Sequence, residues 1–167
     1  MSDYEITALI LLEHEAFRRD FTNLDAMTEE AELSVAWTDL ANALEVHASG
    51  EEEVFYPHLV HEADADEETE HAIHDHNEIR DAARAVEPQE VGSEAWWEAV
   101  RTAREVNAEH MEEEERDIFP TFRESVDAAK REELGLAWLK FHDDHENARG
   151  LSGEDKDPAA YVEEHSA

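Results

Sequence analysis

The chain has 167 residues, no cysteine, and 46 acidic against 13 basic residues, for a formal net charge of −33. That length suits one domain with a substantial core; the missing cysteines exclude disulfides and thiolate metal sites; and with no basic patch, nucleic acid and anionic membrane are poor partners. Only five glycines and four prolines interrupt a sequence rich in Ala, Glu and Leu, which predicts an all-α fold.

Helix A is predicted from about Asp3 to Leu24. Its apolar run Ile6 to Leu12, broken by Thr7, is too short to span a bilayer. The preceding Met1-Ser2-Asp3-Tyr4-Glu5 has no basic region or cleavage signature, so a cytoplasmic location is expected. Helix B is predicted from about Glu29 to Val60 with Thr28 as cap, and helix C from about Glu67 to Val86. A loop over Pro88 to Gly92 precedes helix D, which starts after the cap Ser93 and reaches about Phe122. Pro57 and Pro120 should kink or end helices B and D. A fifth helical segment covers about Val126 to Ala148, so residues 1–150 are expected to form the domain and 151–167 an acidic, flexible tail. Abundant carboxylates with only three lysines further suggest adaptation to a salt-rich cytoplasm, where self-repulsion is screened.

Helices A to D contain a duplication. The strings Glu13-His14-Glu15-Ala16-Phe17-Arg18 and Asp75-His76-Asn77-Glu78-Ile79-Arg80 share the pattern acid-His-x-x-apolar-Arg. Each is followed, after 33 residues in one case and 34 in the other, by a His-x-x-x-Glu pair: His47 with Glu51, and His110 with Glu114. Both pairs run on into Glu-Glu-x-x-Phe/Ile-aromatic-Pro, ending at Pro57 and Pro120. An i, i+4 spacing puts imidazole and carboxylate on one helical face, a turn apart.

All six residues continue an apolar stripe, as in Leu40, Leu44, His47, Glu51, Val54 of helix B and Val100, Ala103, Asn107, His110, Glu114 of helix D. A lone carboxylate buried in such a stripe costs several kcal/mol unless it is paired or bound to metal. His14, His47, Glu51, His76, His110 and Glu114 are therefore candidate metal ligands, for two metals or one dinuclear centre. Nitrogen and oxygen donors suit iron, manganese, copper or zinc. His71 and His74 lie off the stripe of His76; His58 and His61 are expected at the end or surface of the bundle, His142 and His145 on a solvated face, and His165 in a frayed end. Trp37, Trp96, Trp97 and Trp138 read as packing aromatics, and Glu52 and Glu115 as groups able to support the ligands.

The order His, His-x-x-x-Glu, His, His-x-x-x-Glu resembles the hemerythrin-like, or HHE cation-binding, family over roughly Ile6 to Phe122. The resemblance implies an up-down-up-down four-helix bundle, with an additional C-terminal helical segment in this chain, around a non-haem di-iron centre. His14, His47, His76 and His110 would be terminal ligands, and Glu51 and Glu114 carboxylates bridging the irons beside a solvent-derived oxo or hydroxo group. Oxygen-carrying hemerythrins have a further histidine four residues before the third-helix ligand, where this chain has Ala72. His71, His74, solvent or a tyrosine would fill that place. The implied function is binding, sensing or storage of oxygen, nitric oxide or iron. Two other classes stand beside it: a di-iron peroxidase or catalase-like enzyme removing peroxide, and a metal-free acidic helical interaction protein.

Overall fold

A computed structural model describes residues 4–166. Among them all regular structure is helical: α1 (Ile6–Asp25), α2 (Glu30–Gly50), α3 (Tyr56–Ala63), α4 (Asp66–Val86), α5 (Glu94–Glu113), α6 (Phe119–Ser125), α7 (Ala128–Asp144) and α8 (Pro158–His165). Ser93 caps α5 by accepting the Trp96 N–H at 3.1 Å. Thr28 does not cap α2; Glu29 holds that position without a side-chain capping bond, and Glu30 and Glu32 in the first turn complement the helix dipole instead.

Neither proline ends its helix. Just before each, the chain widens into a π-helical turn, Glu51–Phe55 and Glu114–Ile118, closed by Tyr56 N–H to the Glu51 carbonyl and Phe119 N–H to the Glu114 carbonyl. A proline lacks an N–H and crowds the preceding turn; one extra residue in that turn accommodates both defects. The repeated Glu-Glu-x-x-Phe/Ile-aromatic-Pro string is thus the signature of a duplicated π turn, and each turn opens on a candidate carboxylate ligand.

Two apolar clusters flank the polar centre. One joins Ile6, Ile10, Phe55, Ile73, Phe119 and Phe122 with Trp138 of α7, and the other joins Phe17, Phe21, Leu40, Leu44, Trp96 and Val100. Along α1 the chain passes from Ile10 in the first cluster through His14 to Phe17 in the second, and along α2 and its π turn from Leu44 through His47 and Glu51 to Phe55. The candidate ligands therefore lie in the layer between two dry cores, where water cannot solvate them.

The C-terminal segments cover this layer. Helix α7 reaches the chain just before α1 at Gly135, where a Cβ would come within 1.8 Å of the Tyr4 carbonyl oxygen; any larger residue would push the two apart. The predicted fifth helix stops at Asp144, with Asn147 and Ala148 in left-handed conformations beyond it. Residues 158–165, expected as flexible tail, instead form α8 against α4, with Tyr161 and Val162 buried. Asp157 caps the helix through the Ala160 N–H and Pro158 occupies its first turn, so the acidic composition hid a helix start.

Candidate metal centre

Helices α1, α2, α4 and α5 and the two π turns bring His14, His47, Glu51, His76, His110 and Glu114 together, each at most 4% exposed. Their donor atoms fall into two groups that share Glu51: His14, His47, Glu51 and Glu114, and Glu51, His76 and His110. Within each group the atoms lie within 4.8 Å of one another.

Each carboxylate faces both groups. Glu51 Oε1 lies 3.3 Å from His47 Nε2, while its Oε2 lies 3.1 Å from His76 Nε2. Glu114 Oε2 lies 3.3 Å from His14 Nε2, while its Oε1 lies 3.7 Å from His110 Nε2. Two carboxylates in this disposition can bridge two cations.

The outward ring nitrogens are fixed as well. Each Nδ1–H has a carboxylate acceptor: Glu115 for His14 at 2.8 Å, Glu13 for His47 at 2.7 Å, Glu52 for His76 at 2.9 Å and Asp75 for His110 at 3.2 Å. With the proton held on Nδ1, Nε2 keeps its lone pair directed inward, which is how a metal-binding histidine is oriented.

The duplicated string now has a physical reading. The acid before each lone histidine reaches across to the histidine of the next helix, Glu13 to His47 and Asp75 to His110. The arginine four residues after it holds the acid supporting that lone histidine, Arg18 on Glu115 at 2.8 Å and Arg80 on Glu52 at 2.9 Å. Glu52 and Glu115 were foreseen as supports; Glu13 and Asp75 were not, although they stand beside His14 and His76.

The C-terminal helices reinforce two of these supports. The Trp138 indole N–H donates to Glu13 at 2.9 Å, and His142 Nε2 lies 2.8 Å from the same carboxylate. His142 is therefore half-buried and bound to the centre's periphery, not on a solvated face as composition suggested. Lys156 pairs with Glu52 beside Arg80, and the Tyr161 hydroxyl donates to the Glu52 carbonyl.

Tyr56 enters the centre through the π turn. Its hydroxyl donates to Glu114 Oε1 at 2.7 Å and lies 3.1 Å from His76 Nε2. An α-helix would turn the fifth residue after Glu51 off that face; the widened turn brings it back. Phe119, its counterpart in the second copy, stacks on His14 at 5.8 Å without a polar atom, so the centre is unsymmetrical. His71 and His74 remain outside, each side chain 58% exposed.

Of the enclosed side-chain atoms without a hydrogen-bond partner, four converge at this centre: His14 Nε2, His47 Nε2, Glu51 Oε1 and Glu114 Oε2. They are the four donors of the first group. Buried polar atoms left unpaired cost about 1–3 kcal/mol each, so their convergence fits a cation. Over residues 5–122 the chain matches the Hemerythrin HHE cation binding domain. The chain belongs to that family. No curated protein and no solved structure matches it. The hemerythrin-like residues 5–122 contain all six inward ligand candidates, their four supporting acids and both arginines; Trp138, His142, Lys156 and Tyr161 come from beyond them. Among the described residues no helix is long and apolar enough to cross a membrane.

Without metal, the site's charges compensate one another. Burial alone would lower the His110 pKa, but Glu114 and the bond to Asp75 raise it from 6.5 to about 10. Burial likewise opposes ionisation of Glu13 and Glu52, yet the histidines beside them, with Arg80 for Glu52, hold both near about 2 instead of 4.5. A histidine pKa raised on folding adds stability that is fully present below the unfolded value of 6.5 and is lost as pH climbs through about 10. Carboxylate pKa values lowered on folding add stability present above 4.5 and lost as pH falls through about 2. The metal-free protein is thus expected to lose stability on both sides. In the loaded protein the alkaline loss should vanish, because a metal-bound imidazole carries no second proton. Denaturant midpoints measured against pH in the two states check this, and an identical alkaline limb in both would contradict it.

Proposed function

We propose that this chain is a hemerythrin-like non-haem di-iron protein that binds a small ligand such as oxygen, nitric oxide or peroxide. Four helices, α1, α2, α4 and α5, are read as an up-down-up-down bundle, a topology supported by the alternating order in which they pass between the two apolar clusters. His14 and His47 would hold one iron and His76 and His110 the other, with Glu51 and Glu114 bridging. The observation that carries this reading is the set of four buried donors without hydrogen-bond partners, facing inward from histidines whose other nitrogens are fixed. A metal-free role would match those atoms only as long histidine–carboxylate pairs, His14 with Glu114 and His47 with Glu51, each at 3.3 Å.

A bound di-iron pair would supply reversible one-electron chemistry and an open position for the ligand. The protein's own part is to hold six donors rigidly, exclude bulk water and keep each imidazole in one tautomer. Tyr56 adds an oxygen to the second group. Burial and the neighbouring carboxylates Glu114 and Glu51 hold its pKa well above the usual 10, so the phenol keeps its proton until a cation offsets that charge. A phenol beside the second position also favours peroxide removal as the second reading, since it places a proton donor within the buried site.

Elemental analysis of protein reconstituted anaerobically with iron should give about two irons per chain, and Glu51→Ala or His110→Ala should lose them. Absence of iron in the unaltered chain would sink the di-iron reading. If Tyr56 binds the oxidised metal as phenolate, a visible charge-transfer band appears that Tyr56→Phe abolishes while iron content is kept. Gas exchange then separates the roles: reversible spectral change without product marks a binder, and sustained peroxide consumption marks an enzyme.

A further inference from the structure

A cleft of about 320 Å³ opens between α4 and α5. Its outer rim is acidic, with Glu67 and Glu68 exposed and Asp75 and Glu113 half-buried. Its inner end is made of buried residues: Ala72 at 2% exposure, Ile118, His110 and Glu114. The cleft therefore runs from solvent to two of the candidate ligands of the centre. Glu114 is fully buried, and its Oε1 lies 3.7 Å from His110 Nε2.

We propose that this cleft is the route by which cations and small neutral ligands reach the second metal position, and that the small side chain of Ala72 keeps it open. The inference rests on the di-iron reading above. Ala72 stands one helical turn before His76, on the same face of α4, so a longer side chain there would project beside the ligand and into the inner end. The space equals roughly ten waters at about 30 Å³ each, ample for a hydrated cation or a diatomic molecule.

Charge decides what passes. Arg116 is paired with Asp117 at 2.8 Å, His110 is bound to Asp75 at 3.2 Å and His71 lies 2.9 Å from Glu113, so the uncompensated charge of the rim is that of the exposed Glu67 and Glu68. A narrow mouth of one sign focuses the field and raises the local concentration of counter-ions. Cations should therefore be drawn in, neutral gases should pass, and small anions such as azide should be slowed.

The test follows uptake of cobalt(II) by the metal-free full chain in stopped flow, read by its visible absorption. Ala72→Leu should slow uptake by about 10-fold or more while final stoichiometry stays unchanged, an effect of the size that access and steering commonly produce. Binding of nitric oxide to the iron-loaded variant should slow likewise. The rim pair Glu67→Gln/Glu68→Gln should slow cobalt uptake and flatten its salt dependence without altering nitric oxide binding. Wild-type uptake rates in Ala72→Leu would overturn the route. If Ala72→Leu does not fold, the rim pair decides alone, since both residues are exposed, and unchanged rate and salt dependence would overturn the proposal. A wild-type chain that takes up neither cobalt nor iron would instead remove the di-iron reading beneath it.

Discussion

Loading the metal-free chain with iron(II) should raise its unfolding midpoint by on the order of 10 °C, from about 4 kcal/mol of linkage at a thousandfold excess over Kd and about 2–4 °C per kcal/mol for a domain this size. The site is built in the folded state alone: donors from distant parts of the chain gather into two groups, each within 4.8 Å, and the unfolded chain has no such arrangement. Loading also replaces an awkward charge balance. The metal-free centre offsets two fully buried carboxylates with protonated histidines, His47 held well above its usual pKa by Glu51 and Glu13 against the opposing effect of burial. Two cations would perform that offset while also pairing the four stranded atoms. Calorimetry with and without iron measures the gain, and Glu51→Ala should abolish it because that carboxylate belongs to both groups. An unchanged midpoint on loading would mean that the six side chains do not form a binding site.

Much of this centre was legible as periodicity. The six inward residues stand on apolar stripes at matched spacings in two copies, so their convergence required only that four stripes face one core. The supporting acids were harder. Glu13 and Asp75 adjoin His14 and His76 in sequence, but neighbours on a helix point about 100° apart, and each serves a histidine on the following helix. That pairing is tertiary and no spacing within one helix reveals it. Tyr56 was hidden for another reason: counted on an α-helix it leaves the face of Glu51, and only the π turn brings it back. The signal was present in the prolines at 57 and 120, each six residues after a candidate carboxylate, which demand a local departure from α-helical geometry. The support from Trp138, His142 and Lys156 was obscured by composition, since polar and acidic segments resemble solvated surface until their few apolar residues are seen to dock.

The second large effect concerns salt. Five of the 13 basic residues sit against acids at or near the core: Arg18 on Glu115, Arg80 and Lys156 on Glu52, Arg123 and Arg131 on the buried Glu5. Cations engaged there cannot neutralise the outer surface, where exposed acids such as Glu98, Glu105 and Glu109 face water. At about 0.01 M salt the screening length of about 30 Å lets charges across the whole molecule repel one another, whereas at about 1 M it shrinks to about 3 Å and only close neighbours interact. Total domain stability is about 5–15 kcal/mol, so a repulsive loss of about 5 kcal/mol would lower the midpoint by about 10–20 °C. Dilution from molar potassium chloride should therefore cost at least as much as iron loading adds. Glu98→Lys/Glu105→Lys/Glu109→Lys should flatten the dependence, because it alters charge at exposed positions of α5 without touching the centre. A midpoint constant from low to high salt would show instead that the surface tolerates its charge, and the case for a salt-rich setting would fall while the metal centre stood unaffected.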